Sequence, residues 1–352
     1  LSSAEQLQLD YLAGEAKTLK ALSYLQLLQL FATPYDDAEH TGGIILKDRV
    51  EREELPRSTK AETVQAIERL LKEALTAFDT TTRPPYGSAP GFVNAATARA
   101  LLARLYLYAG EWAKAEEVTR TLVPAMLSVS MVPTTPLAWS QGASTIALFA
   151  SSVPVTYYNS IYAQAKSATN ATYQLPQRSY FASTDLRHRS YALDSTLQVD
   201  ATTTRSLQII GKYAAFLFTG GLPSYNCVVR TTEPIFLRAE ALASSGDETA
   251  ARDLLNSYLR LVGADEVAST VTGRALIDAI IAEKAREFAG EGLRFFDLKR
   301  LGLPIEHYTP NEERVSLTLP AGSYKRTLPL PASERSNKNL GAQNPGWPAL
   351  TH

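Results

Sequence analysis

The stretch EKAREFAGEGLRFFDLKRLG, Glu283 to Gly302, decides how this chain is read. It sets Glu283, Glu287, Glu291 and Asp297 among Lys284, Arg286, Arg294, Lys299 and Arg300, with Phe288, Phe295 and Phe296 between them. Carboxylates so placed serve either chemistry or architecture. Residues four apart share a helical face, so the three glutamates are expected in one line, with arginines reaching them from adjacent turns. A catalytic acid needs surroundings in which its pKa can rise, whereas a carboxylate ringed by arginines is held ionised. The segment therefore reads as an ion-pair lattice that docks a late helix, ended by Gly290 and Gly292.

Working outward, 352 residues with 35 basic and 36 acidic side chains form a nearly neutral chain, 45% hydrophobic and 20% charged, with the composition of a globular protein. A formal charge of −1 gives no field for nucleic acid, so no nucleic-acid partner is expected. The single Cys227 excludes an internal disulfide, and its setting YNCVVR suits a small buried side chain. His40, His188, His307 and His352 lack the spacing of a helical metal site, and phosphate-binding glycine loops and nucleophile elbows are missing. No metal or cofactor is expected, and no apolar run approaches the ~18 residues of a membrane helix.

Helical signals are strong at both ends of the chain. Ser3 and Gln6 open a leucine-rich helix ending near Phe31, whose leucines on nearly every face predict cover on more than one side. Thr59 and Glu62 form a capping box ahead of the stripe Val64, Ile67, Leu71, Ala74 and Leu75. Two later segments superpose, with Gly110 on Gly246, Ala103 on Ala239 and Ala115 on Ala251. Each is a helix, a glycine turn and a second helix with small residues at the crossing, the grammar of a tetratricopeptide-type hairpin. Between them the chain turns rich in Ser, Thr, Tyr and Pro and loses its helical period. The fold class expected is all-α, mainly helical, with an irregular aromatic-rich insert.

The Glu283–Arg300 pattern resembles the late signature of the SusD/RagB family, with Lys284 where arginine is usual. Asp185 and Arg187 resemble the family's mid-chain Asp-x-Arg, Lys212-Tyr213 its Lys-Tyr, and Gln343-Asn344-Pro345-Gly346 its closing segment. The resemblance runs in order along the whole chain and implies a SusD-like fold over 1–352. Residues 1–127 and 232–302 are then the helical scaffold, 128–231 the ligand-binding segment and 303–352 a loop-rich end. It implies a binding protein, not an enzyme, which captures an oligosaccharide or polysaccharide, or a peptide in RagB-like members. Such proteins sit on the extracellular face of the outer membrane beneath an N-terminal lipid anchor and deliver ligand to a SusC-like TonB-dependent transporter. A signal and an acylated cysteine are accordingly expected ahead of Leu1.

Sugar rings stack on aromatic faces while their hydroxyls need planar donors and acceptors. Ligand-binding candidates are therefore Trp139, Tyr157, Tyr158, Asn159, Tyr173 and Tyr180 in the insert, with Tyr35 and Asp36 in the loop after the first helix. Trp112 is expected in the core, and Trp347 as an anchor of the C-terminal segment. Two other classes stay open on the residues alone: a tetratricopeptide-type adaptor, and a glycosidase whose carboxylate pair has no sequence motif.

Overall fold

Helix α1 (Ser3–Phe31) starts one residue earlier than its sequence predicts, because Ser2 and Glu5 make the reciprocal cap: Glu5 N–H donates to Ser2 Oγ and Ser2 N–H to Glu5 Oε2 (2.7 Å). The computed structural model describes residues 2–50, 53–80, 91–124, 127–135, 138–141, 147–153, 175, 180–198, 200–212, 224–308 and 315–349. Helix α2 (Lys60–Thr80) carries the expected Thr59/Glu62 box, and its stripe Val64, Ile67, Leu71 and Ala74 is buried. It packs between α1 and α3 (Ala95–Ala109). Gly110 then adopts φ 74°, a left-handed turn open to glycine, and α4 (Trp112–Arg120) folds back on α3. Trp112 is half-buried at the edge of this core.

The middle of the chain is less irregular than its composition predicts. Helix α5 (Ala138–Gln141) is one turn, and strand β1 (Ala147–Val153) pairs antiparallel with β4 (Ser224–Arg230). Between them β2 (Ala192–Gln198) and β3 (Thr204–Ile210) form a hairpin in register from Ala192↔Ile210 to Gln198↔Thr204. These strands are short and rich in Ser, Thr and Gln, so no long apolar alternation announces them.

Helices α6 (Glu233–Ser244) and α7 (Glu248–Val262) form the second hairpin around Gly246 at φ 92°, and α6 packs on α4, stacking the two hairpins. Helix α8 (Gly273–Glu287) covers α6 and α7, a glycine turn leads to α9 (Arg294–Arg300), and β5 (Ile305–Tyr308) pairs with β6 (Val315–Leu319). The architecture is mainly helical, with small two-stranded sheets.

Two apolar cores result. One joins α1, α2 and α3 through residues such as Leu25, Leu28, Ile67, Leu71 and Leu101. The other gathers Trp139, Tyr191, Phe236, Tyr258, Leu276 and Ile280, so the described part of the insert is packed onto the second hairpin. Helix α1 is packed by both α2 and α3, but its leucines are not covered on every face: Leu9, Leu12, Leu19 and Leu27 remain 40–46% exposed. Periodicity shows which positions are apolar but not what covers them. Among the described residues no helix is long and apolar enough to cross a membrane.

Candidate ligand-binding site

The carboxylates of the opening stretch converge with cations from the middle of the chain into one buried network. Helix α8 ends at Glu287, so Glu291 lies in the following turn and not on the expected helical line. Gly290 at φ 80° makes that turn, and a β-carbon there would collide with Ile210 at 2.8 Å. Glu287 is wholly buried and accepts bonds from Arg230 (2.7 Å), Thr232 (2.9 Å), Tyr191 (3.0 Å) and the Tyr258 hydroxyl. Arg187 grips Asp185 (2.7 Å) and Glu283 (2.5 Å), while Lys212 reaches Glu291 (2.5 Å) and the Glu287 carbonyl (2.5 Å). Arg300 bridges Asp297 (2.7 Å) and Glu240 (2.5 Å). Lys284 offers Asp297 one bond at 3.0 Å, where an arginine fork could make two.

Burial alone would raise the Glu287 carboxyl, but Arg230, Arg187 and Lys212 reverse this and hold it below the usual carboxylate range. Asp297 is likewise held low, with Lys284 and Arg300 overcoming its burial. Burial pushes Lys212 down to about 8 despite Glu291, and Cys227 up to about 12, which suits a packed thiol rather than a nucleophile. Carboxylates held ionised by neighbouring cations are weak bases and suit ion pairing better than proton transfer. The network is architecture.

A second polar assembly fixes the loop after α1. The last carbonyls of a helix lack internal partners, and cations are favoured there. Lys299 donates to the Gln29 and Ala32 carbonyls (2.7 Å each), and Arg57 and Asn344 to that of Phe31 (3.2 and 2.8 Å). Lys60 reaches the carbonyls of Pro34 (2.6 Å) and Asp37 (2.7 Å) within the loop. Trp347 anchors the closing segment as expected, its indole N–H donating to the Thr327 carbonyl (2.8 Å). A cavity of about 270 Å³ opens between this loop and the closing segment, lined by Thr33, His40, Gly42, Arg57, Gln343 and Asn344.

Burial, aided by Arg326 and Lys60, pushes Lys299 down to about 7. The folded state then binds fewer protons than the unfolded chain between pH 7 and about 10.5, so stability rises as pH increases through that window. Each pH unit contributes at most about 1.4 kcal/mol. Denaturant melts at pH 6.5 and 9 should show a gain of about 2 kcal/mol, to which Lys212 contributes in the same direction. Lys299→Met should lower stability at pH 9 yet flatten the slope, and a parent whose stability falls between these pH values would contradict the assignment.

The candidate ligand residues part company. Tyr35 is half-buried, its ring 5.7 Å from that of Tyr108, and Asp36 beside it is exposed. Neither lines the loop cavity, whereas the neighbouring His40 does. Tyr180 is half-buried against Phe181 at 5.2 Å, and burial raises its phenol above the usual range. Trp139 is corrected: it is wholly buried, with Arg230 and Lys212 4.9 and 5.4 Å from its ring and Tyr191 at 5.2 Å. Two cations above one ring make it part of the buried network, not a platform for ligand. Tyr157, Tyr158, Asn159 and Tyr173 lie outside the described residues. Among the described residues the candidate rings sit on two different cores and share no platform. Arg57, Gln343 and Asn344 were not singled out as ligand residues by sequence, since nothing local marks a cavity wall.

Stacked helical hairpins with a strand-containing insert, their buried charges neutralising one another, make up the described fold. The sequence model of the SusD family matches residues 154–347, more than half of the chain, and the chain belongs to that family. Similar solved structures include a SusD superfamily protein from Bacteroides vulgatus (23% identity, TM-score 0.73, covering 99% of this chain and 80% of its own). Another, from Bacteroides thetaiotaomicron, has 21% identity and TM-score 0.75 over 98% of this chain and 80% of its own. A SusD-like carbohydrate binding protein from Bacteroides vulgatus has 18% identity and TM-score 0.70 over 94% and 77%. At these identities the likeness is one of fold. No curated protein matches the chain.

Proposed function

We propose that this chain is a cell-surface glycan-binding protein that captures oligosaccharides and passes them to a SusC-like TonB-dependent transporter. The observation that carries the reading is membership of the SusD family over residues 154–347. The fold likeness to proteins described as a SusD-like carbohydrate binding protein and a putative sugar binding protein, both from Bacteroides vulgatus, supports the ligand class. Capture without turnover fits carboxylates such as Glu287 and Asp297, which are held ionised by arginine and lysine. The insert 128–231 and the loop bearing Tyr35 and Asp36 are the proposed ligand-facing parts, and Tyr180 and the insert residues Tyr157, Tyr158, Asn159 and Tyr173 belong to the same proposal.

The exposed leucine face of α1 supports a partner on the scaffold side, since a contiguous apolar face marks an interaction surface. In this reading a lipid anchor holds the protein at the outer face of the outer membrane. Protease added to intact cells should cleave it, and the chain should co-purify with a β-barrel protein; a protein protected within intact cells would contradict the placement.

Titration of the chain with oligosaccharide and peptide panels tests the ligand class. Saturable oligosaccharide binding is expected, and Tyr35→Ala should weaken it about fivefold, the equivalent of about 1 kcal/mol of ring stacking. Peptides bound in preference to every glycan would overturn the reading in favour of a peptide-capturing member.

A further inference from the structure

A cavity of about 270 Å³ lies between α1, α3, β4, α6 and α9, and none of Tyr35, Asp36, Trp139 and Tyr180 lines it. Its exposed rim carries the primary amides of Gln26 on α1 and Asn226 on β4, with Gln29 and the ring of Phe296 half-buried beside them. None of these three amide side chains hydrogen-bonds to another described residue, so their donors and acceptors are available. Deeper, Arg104 bonds Glu233 through Nε (2.5 Å) and Nη2 (2.6 Å) and the Val228 carbonyl through Nη2 (2.7 Å), bonds that leave Nη1 out.

The chemistry of this wall selects its occupant. Each charge on it already faces an opposite one: Arg104 faces Glu233, Lys284 and Arg300 face Asp297, and Glu291 faces Lys212 and Arg230. An ionic ligand would therefore lose hydration without gaining a counter-charge. The available groups are amides, which both donate and accept, beside one aromatic ring, that of Phe296. That combination matches a molecule whose every polar group is a hydroxyl and whose remaining surface is C–H. A volume just below the roughly 300 Å³ at the small end of ligand pockets admits one ring and not a chain.

We infer that this cavity binds a single neutral sugar ring or cyclic polyol, at a site that shares only strand β4 with the proposed ligand-facing insert and is lined by none of Tyr35, Asp36 and Tyr180. Ligand-observed NMR titration of the chain with glucose, galactose, N-acetylglucosamine and myo-inositol, beside glucuronate and glucosamine as charged counterparts, tests it. At least one neutral ligand should bind with a millimolar Kd, and its charged counterparts at least tenfold more weakly. Gln26→Leu and Asn226→Leu, both at exposed positions, should each weaken binding about fivefold or more at unchanged melting temperature, while Tyr35→Ala leaves it unchanged. Absence of binding by all four neutral ligands, equal binding of the charged ones, or parental affinity in both leucine variants would overturn the inference. Loss of binding in Tyr35→Ala alone would also overturn it and would assign the sugar to the loop surface, so the two readings fail separately.

Discussion

Glu287→Ala is expected to lower stability by about 3 to 5 kcal/mol, a large part of what holds a domain of this kind folded. The carboxylate lies where Arg187, Arg230, Tyr191, Tyr258 and Thr232 converge, and all five are themselves buried. Its removal leaves two desolvated guanidinium groups facing each other with fewer anions between them. An exposed pair serves as control: Arg260 and Glu266 are 2.6 Å apart but about half-exposed, so Glu266→Ala should cost less than about 1 kcal/mol. Urea titration of both variants reads the difference. If Glu287→Ala unfolds at the parental midpoint while losing ligand, the carboxylate belongs to a binding site and not to the scaffold.

Trp139→Ala carries the second large effect, about 3 to 5 kcal/mol, from the cavity left by a wholly buried indole. Arg230 and Lys212 would also lose the ring face on which they rest, exposing the network above to water. Trp139→Phe should recover part of this loss by refilling much of the space. Thermal melts beside oligosaccharide titrations separate this role from a ligand contact. A Trp139→Ala protein that melts as the parent does but binds no glycan would restore the ring to the site.

What could be read from sequence was what short-range chemistry determines. Thr59 with Glu62 and the glycine turns at Gly110 and Gly246 are local, and each is found where its spacing put it. The Ser2 cap was displaced by one residue because Ser2 and Ser3 both precede a glutamine or glutamate at capping distance. The burial of Trp139 is set by Tyr191, Lys212 and Arg230, all distant in sequence, which a local reading cannot place against it. The sense of the opening stretch was legible from its alternating charges, yet its partners Asp185, Arg187 and Lys212 entered only through family resemblance. Their contacts span the chain, and no periodicity encodes such distances. The rim amides Gln26, Gln29 and Asn226 come from α1 and β4, far apart in sequence, so nothing local marks their shared cavity.

Capture without chemistry is the central claim, and one measurement addresses both halves of it. Oligosaccharides bound by the chain are incubated with it for a day while ligand-observed NMR follows both line broadening and new reducing-end signals. Saturable broadening with every ligand recovered intact is the predicted result, and the same spectra should follow from Glu287→Gln wherever that variant remains folded. Reducing ends that accumulate in proportion to protein, or glycan spectra untouched by any amount of it, would contradict the account.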